Sequence, residues 1–71
     1  MTVYLPTDPR PKAWEIGDIL MVQHGPVFSN IFIWEITGVR PITQRYISDS
    51  EEYEKYRGDI DRYVKQEMEE D

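Results

Sequence analysis

The chain is 71 residues long, carries a formal charge of −6 and has no cysteine. Its length limits it to one domain with a marginal core, and the lack of thiols excludes a disulfide framework and thiolate zinc sites. The acid excess argues against general binding to phosphate backbones, which takes a basic patch, and suits a basic partner surface instead.

No run approaches 18 apolar residues and no charged-then-apolar leader opens the chain, so neither a membrane span nor a signal peptide is predicted. With no cysteine to oxidise, a cytoplasmic location fits. Two Trp, five Tyr and two Phe can fill a small core, because each ring buries a large area. Residues 1–71 are read as a single domain. It comprises an extended proline-containing arm or edge strand over 1–13, a β-sheet body over 14–47 and an acidic helix with a frayed tail over 48–71.

Residues 1–5 are apolar enough for a short edge strand. Pro6, Pro9 and Pro11 follow; each fixes φ and restricts its predecessor, which predicts an extended arm or loop. Trp14 opens the first strand region, which runs to Gln23. Gly17-Asp18 marks a turn or bulge within it. Ile19, Leu20, Met21 and Val22 then make an unbroken apolar run, the pattern of a strand buried on both faces. His24-Gly25-Pro26 is read as a turn, Val27-Phe28 as a short restart and Ser29-Asn30 as a second turn.

Residues 31–37 hold the strongest strand pattern, rich in β-branched and aromatic side chains. Phe32, Trp34 and Ile36 fall on one face and Ile31 and Ile33 on the other; Trp34 and Ile36 are expected in the core. Gly38 ends this strand unless Val39 continues it past a bulge. Pro41 breaks the ladder, and residues 42–47 form a last strand. There Ile42 and Tyr46 share a face while Arg45 points the other way.

Residues 48–71 hold ten acids against four bases, which is the whole net charge; residues 1–47 hold four of each sign. Tyr53, Tyr56, Ile60, Tyr63, Val64 and Met68 form one stripe at helical spacing. Ser48 with Glu51, or Asp49 with Glu52, has the spacing of a capping box. Glu51 with Lys55 and Asp61 with Lys65 are i, i+4 pairs in the favourable order. Gly58 is the weak point, where the helix is expected to bend or break. Glu67, Glu69, Glu70 and Asp71 oppose the dipole at the C-terminal end, so that end is expected to fray. The fold predicted is α+β: a small curled antiparallel sheet of three to five short strands, barrel-like in its curl, then one C-terminal amphipathic acidic helix.

The stretches Trp14-Glu15-Ile16-Gly17-Asp18-Ile19-Leu20 and Trp34-Glu35-Ile36-Thr37-Gly38-Val39 resemble small SH3-like and PUA/ASCH-like β-barrel domains. Those folds often place a glycine-aspartate turn before a buried strand and follow it with a strand of this kind. The resemblance implies a barrel and, because many PUA/ASCH-like domains bind RNA, an RNA-binding role. It carries over no functional residues, and the acid excess departs from the pattern.

Residues that could carry chemistry are few. His24 is the only histidine; a triad with Ser29 and Asp18 needs a geometry that nearness in sequence does not supply. Asp49, Glu51, Glu52, Asp59 and Asp61 lack the ligand spacing and turn glycine of a calcium loop. Arg57-Gly58-Asp59 spells an integrin tripeptide inside a helical pattern. No cofactor or metal motif is present, and the chain is read as non-enzymatic.

The functional reading that fits is a small binding or inhibitor protein. Its acidic helix docks on the basic surface of a nucleic-acid-binding protein, as a nucleic-acid mimic of the kind phages and mobile elements encode would do. Carboxylates on a helix rising 1.5 Å per residue can match phosphate spacing. Glu51, Glu52, Glu54, Asp59 and Asp61 would form the array, and Tyr53 and Tyr56 an adjoining recognition patch. Direct nucleic-acid binding is disfavoured by charge. Two alternatives stand beside this: a β-barrel RNA- or peptide-binding module using its aromatics with Arg10, Lys12, Arg40 and Arg45, and an assembly subunit whose apolar sheet face makes a homodimer.

Overall fold

The computed structural model describes residues 1–26 and 30–69, with Glu69 described by its backbone alone. The predicted Val27-Phe28 restart, Ser29, and the tail residues Glu70 and Asp71 lie outside the described residues. The chain folds as α+β. Four strands, β1 (Val3–Tyr4), β2 (Ile19–Gln23), β3 (Ile31–Val39) and β4 (Ile42–Tyr46), precede two helices, α1 (Ser50–Lys55) and α2 (Arg57–Glu69).

The sheet order is β1-β2-β3-β4. β2–β3 and β3–β4 are antiparallel, but β1 runs parallel to β2, so the sheet is mixed rather than antiparallel. The reason lies in the prolines. A parallel pair needs a connection of a dozen or more residues, and the proline-punctuated stretch 5–18 is that crossover rather than a free arm. β1 and β4 are the two edges and do not pair with each other, so the sheet is open and the barrel expectation is corrected.

Register fixes which side chains share a face, because Cβ atoms alternate along a strand. Ile19, Met21, Ile31 and Ile33 lie on one face and are buried with Ile47, Ile60 and Tyr63, while Val3, Leu5, Tyr53, Tyr56 and Val64 pack around them. The helices therefore cover the aliphatic face. The aromatic face, Phe32 and Trp34, is left on the other side. Ile36 is buried as expected, at 1% exposure, but Trp34 is only half-buried. Ile36 lies on the same face as Trp34, where the Gly17-Asp18 turn closes on β3: the Gly17 amide donates to its carbonyl and its amide donates to the Asp18 carbonyl, each at 2.9 Å, whereas Trp is seldom fully covered.

A bulge after Ile36 sets Thr37 and Gly38 against Thr43, and Val39 against Ile42. A Cβ at Gly38 would sit 2.6 Å from Thr43 Oγ1, which is why glycine stands there. The strand thus continues through the bulge to Val39.

The helical segment is two helices, not one. α1 ends at Tyr56, with φ −102° and ψ 3°. Gly58, where a break was expected, lies in the first turn of α2, and the chain stays helical to Glu69. Breaking at Tyr56 lets Tyr53 and Tyr56 on one side, and Ile60 and Tyr63 on the other, reach the same core. Met68, expected in the stripe, is 71% exposed; it lies in the last turns of α2, beyond the packed stripe.

Candidate functional site

Two surfaces oppose each other across the sheet: a charged helical layer, and an uncharged sheet face.

The helical layer begins with a cap. Asp49 takes the N-cap position, and its carboxylate accepts from the amides of Glu51 (2.8 Å) and Glu52 (3.4 Å), satisfying two donors that the helix leaves open. With Asp49 as the cap the Ser48–Glu51 box does not form, and of the Asp49–Glu52 box only the Glu52 amide bond forms, because the Glu52 carboxylate accepts from Arg45. Arg45 projects from β4 on the helix side and donates to Glu35 Oε1 and to Glu52 Oε2, each at 2.6 Å. One guanidinium thereby ties β3, β4 and α1 together. Hydrogen bonds from Arg45 hold the Glu52 carboxyl below its usual range, and the paired carboxylates push the Arg45 guanidinium up.

The other acids of the predicted array divide in two. Arg62 pairs with Asp59 at 2.7 Å and Arg57 with Asp61 at 3.5 Å. Neither predicted pair, Glu51–Lys55 nor Asp61–Lys65, forms among the described residues. Glu51 and Glu54 are exposed and have no ion-pair partner among the described residues. They lie three residues apart on α1, so they share a side of it. Tyr53 and Tyr56 are half-buried against the core. Burial raises the Tyr56 phenol. The structure thus gathers all seven predicted residues in one helical layer, but leaves only Glu51 and Glu54 with uncommitted charge.

On the sheet's other face, register places Tyr4, Leu20, Trp34 and Tyr46 in one row across all four strands. Tyr46 lies 5.2 Å from Trp34 and 5.9 Å from Phe32 between ring centroids. Trp14 in the crossover meets Tyr4 edge-on, and His24 meets Phe32 edge-on. The alternation in β3 placed Trp34 with Phe32, and that in β4 placed Tyr46 with Ile42; which face the helices would take was not signalled.

Asp18, read from sequence as part of a turn or bulge, is buried at 2% exposure. Its carboxylate accepts from the Thr2 amide (3.2 Å) and the Glu15 amide (3.0 Å), so it staples β1 to the turn before β2. It makes no hydrogen bond to His24. Among the described residues no group of three His, Cys, Asp or Glu side chains is placed to hold a metal ion, and no helix is long and apolar enough to cross a membrane.

Compared with family models, curated proteins and solved structures, the chain matches none.

Proposed function

We propose that this chain is a non-enzymatic, cytoplasmic binding protein whose acidic helical layer docks on a basic surface of a nucleic-acid-handling protein and occupies it. The observation that carries this reading is the segregation of charge. Residues 48–71 hold the entire net charge in sequence, and among the described residues Glu51 and Glu54 stand exposed without an ion-pair partner on the helical side of the sheet. A rigid acidic layer attracts a basic partner from a distance and loses that attraction as salt shortens the Debye length from about 10 Å to about 3 Å.

The internal ion pairs narrow the reading. Glu52, Asp59 and Asp61 are held by the chain's own arginines, so the fixed contact falls to Glu51 and Glu54, and the rest supply long-range field. The RNA-binding alternative loses one of its four bases, since Arg45 is committed to Glu35 and Glu52 on the opposite face from the aromatics.

Affinity capture from a host lysate at low salt tests this. The expected catch is a basic nucleic-acid-binding protein, released by salt and displaced by duplex DNA. Capture of nucleic acid itself, with no such protein, would overturn the reading.

A further inference from the structure

The face away from the helices carries no charged side chain in any strand: Tyr4, Leu20, Val22, Phe32, Trp34, Tyr46 and their neighbours are apolar, aromatic or amide. It is also exposed at the β3–β4 end, where Ile42 is 57%, Tyr46 45% and Val39 38% open. Monomeric proteins seldom expose a contiguous apolar patch much larger than about 300–600 Å².

We infer that this face is the interface of a homodimer, in which two copies pack sheet on sheet with their helices outermost. Three arguments select a second copy as the occupant. The first is charge. A chain at −6 repels its own copy unless the charged layers stay apart. Sheets stacked about 10 Å apart, each backed by its helices about 10 Å further out, keep the acidic layers some 30 Å from one another, several Debye lengths at physiological salt. The second is area. Ile42, Tyr46 and Val39 are exposed and Tyr4, Leu20, Val22, Phe32 and Trp34 are partly so; they offer at most about 600 Å² per copy, hence about 1,200 Å² buried in total, at the lower end of specific interfaces. The third is complementarity. The strands place no charge on this face, so it meets its copy without unpaired charge in the sheet, and Arg40 of the β3–β4 turn stands at its rim.

The interface predicts a dimer that is half-formed at about micromolar to tens of micromolar concentration, since buried area at this end of the range gives modest affinity. Sedimentation equilibrium of the wild-type chain should show the mass rising from 8.5 kDa toward double that value between about 1 and 100 µM. Emission from Trp14 and Trp34 should shift to the blue over the same range. Ile42→Lys and Val39→Lys, each at an exposed position, should stay monomeric at all these concentrations with wild-type circular dichroism; should one of them unfold, the other decides. The inference is overturned if the wild type remains monomeric throughout, or if a folded variant dimerises as the wild type does. It is also overturned if the mass doubles with no change in Trp emission, because the dimer then uses another surface. Tight binding of oligo(dT) that quenches the Trp emission of the monomer would likewise overturn it, in favour of a base-stacking platform.

Discussion

At the scale of single residues, Asp18 is the one buried carboxylate among the described residues. At 2% exposure it would be costly to bury unsatisfied, yet its two oxygens meet the Thr2 and Glu15 amides, and its own amide donates to Glu15 O at 3.1 Å. Removing the carboxylate strands two amides at the edge of the sheet. Asp18→Ala should therefore destabilise the fold by about 1–3 kcal/mol. For a domain of this size that is a fall in Tm of roughly 5–20 °C, read by thermal circular dichroism. Asp18→Asn, which keeps an acceptor oxygen, should fall less. Equal losses for the two would mean that the Thr2 and Glu15 bonds are not both at work.

Gly58 makes the opposite case. It has no positive φ, and a Cβ there would touch nothing within 4 Å. Gly58→Ala should stabilise the protein by about 0.4–1 kcal/mol, mainly by restricting the unfolded chain. A melt that does not rise would indicate that the α1–α2 junction needs the freedom.

At the scale of elements, Arg45 is the link between sheet and helix. Because hydrogen bonds from Arg45 lower the folded Glu52 carboxyl below its ordinary 4.5, the folded state binds fewer protons than the unfolded state between the two values. The stabilisation is present above about 4.5 and is lost as pH falls through the folded value. Arg45 is exposed and Glu52 about a third exposed, so solvent screens the pair and the effect is modest and salt-sensitive. Comparing melts of wild type and Arg45→Met from pH 7 to pH 3 should show the wild-type advantage shrinking on the acid side. An advantage that is constant with pH would place its origin in the packing of the Arg45 stem instead.

Much of this architecture could be read from the residues. The β-branched and aromatic run over 31–37 made β3 unmistakable. The turn at Gly17-Asp18, and the stripe from Tyr53 to Val64, likewise follow from spacing alone. Other features depend on tertiary context. The break at Tyr56 is hidden because Tyr56 continues the apolar stripe, and only the shape of the core decides that the chain must turn there. The parallel β1–β2 pairing depends on where a proline-rich crossover lands. The array of five acids looked uniform because sequence does not show that Arg45, Arg57 and Arg62 reach Glu52, Asp61 and Asp59.

At the scale of the whole molecule, the two sides of the sheet separate two physical roles. Ile60 and Tyr63, with Tyr53, Tyr56 and Val64 around them, seat the helices on the aliphatic side, and the strands place no charge on the aromatic side. Reversing Glu52, Asp59 or Asp61 would break internal pairs as well as any external ones, so it would confuse folding with binding. Glu51 and Glu54 alone offer a clean test. The most direct measurement is the affinity of wild type and of the Glu51→Lys/Glu54→Lys variant, across a salt series, for the basic protein captured by the wild type, after circular dichroism has shown the variant to be folded. The account predicts a loss of about tenfold or more at low salt, mostly through slower association, with a shallower salt dependence. A folded variant that binds the same protein as tightly, with the same salt profile, would contradict it.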